Sequence, residues 1–243
     1  MNSAFMKILI AAFVFATASL NAAKTSFADE RATPGVIADA KVIADIIDSC
    51  ENGSLLFSQG DCLAVRCYTN SPYTHVGIVI EEGDQKIAYD SMNGVGVRKM
   101  SLEDYLTTQA PDTVHAFHPI RKLNRSEVSE LREHLESQLG RPYSVKHHIT
   151  GKRNAGLHCS EYVTDALVSI DWLKVSNPPR VSPASLAEGI EHNSIYLVGP
   201  VYEVPAEIQP IPEPDGFCER MWVDMKLCTL QCCSKLSGWI LCR

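Results

Sequence analysis

The sequence predicts an α+β domain, a small antiparallel sheet packed on helices. Three observations carry that prediction. Short apolar or alternating stretches separated by turn residues run from Leu55 to Phe117, and helix-spaced stretches lie on either side of them. Later, an amphipathic run opens on a cysteine, Cys159, directly after a glycine-containing loop from Gly151 to Gly156.

The elements follow in order. Lys7 and the apolar run Ile8 to Ala16, followed by small residues at Ala18, Ser19, Ala22 and Ala23, have the form of a signal peptide over residues 1–28, which predicts export. Cleavage fits after Ala22, Ala23 or Ala28, and the apolar run is shorter than the roughly 18 to 20 residues that span a bilayer. After Pro34 the spacing of Val36, Ala40, Ile43, Ile47 and Cys50 marks one face of a helix that Asn52-Gly53 ends. Leu55-Leu56-Phe57, Cys62 to Val65, His75 to Ile80 and Lys86 to Tyr89 are strands, divided by Gln59-Gly60-Asp61, Ser71-Pro72 and Glu82-Gly83-Asp84. Gly94 to Arg98 is a further strand, Ser101 to Leu106 a capped helical turn, and Thr113 to Phe117 another strand. Asn124 or Ser126 caps a helix through Leu139 that Gly140 and Pro142 terminate. Past the Cys159 helix, Asn177-Pro178-Pro179 and Ser182-Pro183 form a turn-rich connection to a strand at Ser194 to Val198. Prolines at 205, 210, 212 and 214 mark an extended linker over 205–217, leaving 29–204 as the main domain and 218–243 as a tail.

Composition limits the function. At 243 residues and 45% hydrophobic, the chain buries one ordinary core. A formal net charge of -7 argues against nucleic acid as a partner, because phosphate binding needs a basic surface. Five of the nine cysteines fall between Cys218 and Cys242, a density expected of a disulfide-pinned segment in an exported protein. With nine in all, one is left over when eight pair, and Cys159 is the one expected to stay free. Cys62 and Cys67, on one extended strand, would lie about 16 Å apart, beyond disulfide reach. The tail lacks the regular C-x-x-C pairs of zinc modules, and charges interrupt its apolar residues, so no membrane span is expected after signal cleavage.

The chemistry centres on Cys159. At a helix N-terminus, unpaired backbone N–H groups and the positive end of the dipole stabilise a thiolate and can hold a developing oxyanion. A cysteine hydrolase also needs a base within reach and a third polar group to fix the imidazole. Of eight histidines, His75 alone begins a strongly apolar strand; His158 adjoins Cys159 and is expected to point elsewhere, and His115, His118, His134 and His192 have the character of surface or strand-end residues.

Gly60 to Val65, Tyr73-Thr74-His75-Val76-Gly77-Ile78-Val79-Ile80, Gly94 to Val97, Ser101 to Leu106, Gly140-Arg141-Pro142-Tyr143 and His158-Cys159-Ser160-Glu161-Tyr162-Val163 together resemble the permuted, NlpC-type papain-like amidases of the YiiX-like group. The resemblance covers about residues 53 to 170. Thr74 stands where the family has serine and His158 where it has tyrosine. The resemblance implies a circularly permuted papain-like fold with Cys159 as nucleophile and His75 as general base. It also implies Asp90 as the acidic third group, where the family usually has glutamate, with Glu81 and Glu82 as poorer candidates, and Tyr143 as a residue facing substrate or oxyanion. The implied reaction is attack on an amide or ester carbonyl through a thioester, with no metal or organic cofactor. Relatives of this core act on cell-wall muropeptides, other amides and lipid acyl groups. Two other readings remain open. A lecithin:retinol acyltransferase-type acyltransferase or phospholipase shares the His-before-Cys order, but its NCEHF motif is absent. The other is a secreted binding module with Cys159 in a disulfide.

Overall fold

The computed structural model describes residues 36–59, 71–109 and 112–208. The signal-peptide segment, the strand at Cys62 to Val65, most of the linker and the cysteine-rich tail lie outside them. The chain divides into two compact units. Residues 37–207 belong to one, and of the other only Val36 and Ile208 are described.

In chain order the elements are β1 (Val36–Ala38), α1 (Ala40–Ser49), β2 (Leu55–Ser58), β3 (His75–Glu82), β4 (Gln85–Met92), β5 (Gly96–Ser101), α2 (Leu102–Thr108), β6 (Asp112–Pro119), α3 (Arg125–Ser137), α4 (Lys146–Thr150), α5 (Cys159–Ser169), a 3-10 turn (Pro178–Arg180), α6 (Pro183–His192), β7 (Tyr196–Val204) and β8 (Ala206–Ile208). Six strands form one sheet in the order β5-β4-β3-β2-β6-β7, and β1 pairs with β8 in a second, two-stranded sheet. Every described pairing in the large sheet is antiparallel, which bears out the α+β class.

Alternation along the strands gives the large sheet two buried faces. Leu55, Phe57, Val76, Ile78, Ile80, Tyr89 and Phe117 turn to one side, where they pack with residues of α3, α5 and α6. Leu56, Val79, Ala88, Val114 and Ala116 turn to the other, against Ile43 and Ile46 of α1 and Tyr105 and Leu106 of α2. Each fully buried aliphatic or aromatic side chain contributes about 1.5 to 3 kcal/mol, so both faces hold the central strands rigid. Caps set the helix starts. Asp39 accepts from the Lys41 and Val42 amides, Ser101 from Asp104, and Asn124 forms a capping box with Glu127. Asn124, and not Ser126, is therefore the α3 cap.

Several expectations change. Val36–Ala38 is a strand, and the first helix starts only at Ala40. The connection after Asn177 contains a ten-residue helix, α6, because Ser182 closes a capping box with Ser185 and Pro183 occupies the first turn, where its missing N–H costs nothing. The last strand of the large sheet runs on from Tyr196 to Val204. The first linker residues, Ala206–Ile208, form β8. Cys50, expected among the paired cysteines, is instead a free thiol buried beside Ile43 and Ile46, and burial pushes it up to about 11, so it is inert. Among the described residues no helix is long and apolar enough to cross a membrane.

Candidate active site

His75 opens β3 and Asp90 lies near the end of the antiparallel neighbour β4. With Ile78 opposite Tyr89 and Val79 opposite Ala88, residues 75, 77, 79, 88 and 90 share one face. The Asp90 side chain is 1% exposed, and its Oδ2 lies 2.9 Å from His75 Nε2. Aspartate is therefore long enough here, although one methylene shorter than glutamate. Since Asp90 engages Nε2, Nδ1 is the ring nitrogen left for the sulfur. Glu81 and Glu82 are occupied elsewhere: Glu81 accepts from Asn52 Nδ2, and Glu82 accepts from the Tyr89 hydroxyl.

Behind the carboxylate stands Arg98, which sequence reasoning did not single out. Its Nε donates to Asp90 Oδ1 at 2.8 Å and its second terminal nitrogen to Oδ2 at 3.1 Å, a two-pronged grip. The signal was present in the Asn93-Gly94 turn: a tight hairpin pairs Met92 with Gly96 and so sets Arg98 directly across from Asp90. Burial opposes charge on Asp90, but the His75 and Arg98 contacts outweigh it and hold the carboxyl below the usual carboxylate range.

The sulfur arrives from the opposite face, on the first residue of α5. Glycines allow the approach. A side chain at Gly96, where φ is +98°, would strike the Arg141 carbonyl, and one at Gly156 would strike the Pro142 carbonyl and Ser144. The 141–144 segment consequently runs flush between β5 and the nucleophile loop. Val97 donates to the Arg141 carbonyl at 2.8 Å, Leu157 to the Pro142 carbonyl at 2.9 Å, and Ser144 to the Leu157 carbonyl at 3.2 Å. Tyr143 thus pairs through its backbone with Leu157, and its phenol, raised by burial and then by Cys159, lies near the sulfur. Ser91 Oγ also donates to the Leu157 carbonyl at 2.8 Å. Two consecutive residues of β4 therefore serve the site from both faces, Asp90 holding His75 and Ser91 holding the loop two residues ahead of Cys159.

Cys159 is a free thiol, 3% exposed. Burial pushes it upward, yet the nearby His75 charge, followed by contacts with His158 and His75, brings it down to about 6. For His75, burial pushes downward and is outweighed by the Cys159 sulfur and by Asp90, which take it up to about 10. Each partner favours the charged form of the other, the arrangement of a thiolate–imidazolium pair.

The remaining histidines divide. His158 caps α5, and its ring is buried with contacts to Pro179 and Ser160; contrary to the expectation that it points elsewhere, it also interacts with the neighbouring sulfur and helps lower the thiol. His115 is no surface residue: it is buried, with Nδ1 at the Tyr73 hydroxyl and Nε2 donating to the Gly199 carbonyl at 3.1 Å. Among the described residues no group of three or more His, Cys, Asp or Glu side chains is placed to hold a metal ion.

No curated protein matches the chain. A solved structure described as the metalloprotein yiiX from Escherichia coli O157:H7 is similar at 17% sequence identity and a TM-score of 0.45, covering 67% of this chain and 98% of that one. Residues 49–179, more than half of the chain, match the family described as permuted papain-like amidase enzymes, YaeF/YiiX, C92. The chain belongs to that family, and is a papain-like cysteine hydrolase of permuted order.

Proposed function

We propose that this protein is an exported cysteine amidase or peptidase in which Cys159 is the nucleophile, His75 the general acid and base, Asp90 the group that orients His75, and Tyr143 a residue that positions the substrate or its oxyanion. The observation that carries this reading is the line Cys159, His75, Asp90, Arg98, buried at the thiol and the carboxylate, in which a lowered thiol meets a raised imidazole held by a carboxylate at 2.9 Å.

The Cys159 thiolate adds to the carbonyl carbon of an amide or ester. The oxyanion faces the N-terminal end of α5, where helix N–H groups and the dipole favour negative charge. His75 gives its proton to the departing amine or alcohol as the carbon–nitrogen or carbon–oxygen bond breaks, leaving a thioester on Cys159. Water then attacks the thioester, neutral His75 takes its proton, and the acid departs with the thiolate restored. The substrate classes that fit this chemistry are cell-wall peptides and lipid-linked acyl groups, and export would place the enzyme with either.

The experiment is incubation of the purified protein with muropeptides and, separately, with acylated lipids, quenching in acid and mapping the acylated residue by mass spectrometry. An acyl group on Cys159 that fails to form in Cys159→Ala supports the reading. A hydrolysis rate unchanged by Cys159→Ala sinks it.

A further inference from the structure

The His158 ring sits at the N-terminus of the nucleophile helix and is 4% exposed. Three hydrogen-bond contacts surround it, and they compete for hydrogens. Nε2 lies 3.0 Å from the Pro179 carbonyl, which can only accept, so Nε2 carries a proton. Ser160 Oγ gives its single hydrogen to the Val181 carbonyl at 2.7 Å. His158 Nδ1 lies 3.1 Å from that same Oγ, a contact that becomes a hydrogen bond only when Nδ1 is protonated as well. The Glu161 amide, at 3.3 Å, instead asks Nδ1 to accept.

Each protonation state therefore satisfies two of the three ring contacts. The neutral ring keeps the helix cap, and the charged ring exchanges it for the shorter Ser160 contact. Neither state leaves a ring nitrogen without a partner, although the charged ring releases the Glu161 amide. What tips the choice is charge. Glu161 is 0% exposed, with Oε2 3.8 Å from His158 Nε2. On the sequence-adjacent side lies the Cys159 sulfur. Opposing them are Arg153 at 3.6 Å from Glu161 Oε1, itself gripped by Asp165 at 2.6 Å, the His148 ring edge-on at 5.6 Å on α4, Arg180 on the 3-10 turn, and the His75 charge across the thiol.

We propose that His158 is a second protonatable residue acting on the nucleophile: carrying a proton against Glu161, it holds the Cys159 thiolate together with His75. It is a positioning and charge-setting residue, not a proton carrier for the substrate, since its own nitrogens are committed to Pro179 and Ser160. Burial opposes the charged ring, but the Cys159 contact and then the Pro179 and Glu161 interactions outweigh it and raise the imidazole above its ordinary value. The inference rests on the nucleophile assignment made above.

The test is the pH dependence of iodoacetamide alkylation, followed at Cys159 by peptide mapping of the full-length protein, so no substrate is needed. His158→Asn keeps a residue able to cap a helix and removes the charge. Its reactivity midpoint is expected to rise by about one pH unit relative to wild type, the size of losing one nearby opposite charge. An unmoved midpoint in a folded variant overturns the proposal. Where His158→Asn does not fold, nitrogen-15 NMR of the wild-type His158 ring decides. Two protonated nitrogens at pH 7 support the inference, and a bare Nδ1 overturns it. A wild-type midpoint at the ordinary thiol value, unaffected by His75→Ala, would instead overturn the nucleophile assignment itself.

Discussion

His75 and His158 both lie beside the Cys159 sulfur, yet the chain anchors them by different chemistry. On the sheet side, His75 is bonded directly to a buried carboxylate, which is in turn gripped by Arg98, so charge alternates along a line. On the helix side, His158 leans on a carbonyl and a hydroxyl, and its carboxylate stands off at 3.8 Å. A ring that must shuttle a proton benefits from a fixed orientation and one uncommitted nitrogen. One that only biases a neighbouring charge can have both nitrogens occupied. The difference predicts unequal consequences when the two sides are damaged.

The largest effect is expected from Cys159→Ala and His75→Ala. Each should lower turnover of a confirmed substrate by roughly 10^4-fold or more, and the double variant should lose little beyond either single change, because the two act as one unit. His158→Asn should retain measurable turnover, and an equal loss in that variant would erase the distinction between the two rings. Next comes Arg98→Met, which leaves Asp90 buried without its guanidinium. A stability loss of about 3 kcal/mol is expected in urea unfolding, with a reduced rate in the protein that remains folded. Lysine at the same position should restore little, since it cannot reproduce the two-pronged contact. An Arg98→Met protein as stable and active as wild type would reduce the sheet side to a simple dyad.

A smaller effect, and a sharper one, lies in pH. Cys159, lowered to about 6, must lose its proton, and His75, raised to about 10, must keep one. The kcat/KM profile should therefore climb through pH 6 and fall through pH 10, the two limbs belonging to the pair as a whole. A rising limb near 8.5 would mean an unassisted thiol. The smallest effect is expected for Ser91→Ala, which removes one buried hydrogen bond to the Leu157 carbonyl. About 1 kcal/mol of stability should go with it, along with a modest fall in rate that thermal unfolding and steady-state kinetics would separate.

Much of this was legible in the sequence where the physics is local. The apolar alternation from His75 to Ile80 and the helical spacing after Cys159 each depend on residues within a few positions, and both elements form where expected. Asp90 was reached through family resemblance, because nothing within its own strand says which carboxylate will meet His75. Arg98 escaped notice because its role depends on hairpin register, a relation between two strands and not a property of either. Helix α6 was hidden by Ser182-Pro183, a pair that signals a turn and a helix start equally well. His115 resembled a strand-end residue until the pairing of β6 with β7 enclosed it.

The separation of the two halves of the site along the chain has a consequence for biogenesis. His75 and Cys159 lie 84 positions apart, and contacts of such long range form late, after the loop between them has been closed. Until then Cys159 lacks the His75 charge, the largest influence lowering it in the folded chain. Closure of the sheet changes two properties at once: it turns this sulfur into a thiolate near neutral pH and reduces its exposure to 3%. A thiolate buried to this degree is screened from bulky thiol reagents, whose attack depends on access as well as on thiolate content. Folding thus creates the thiolate and shelters it in the same step.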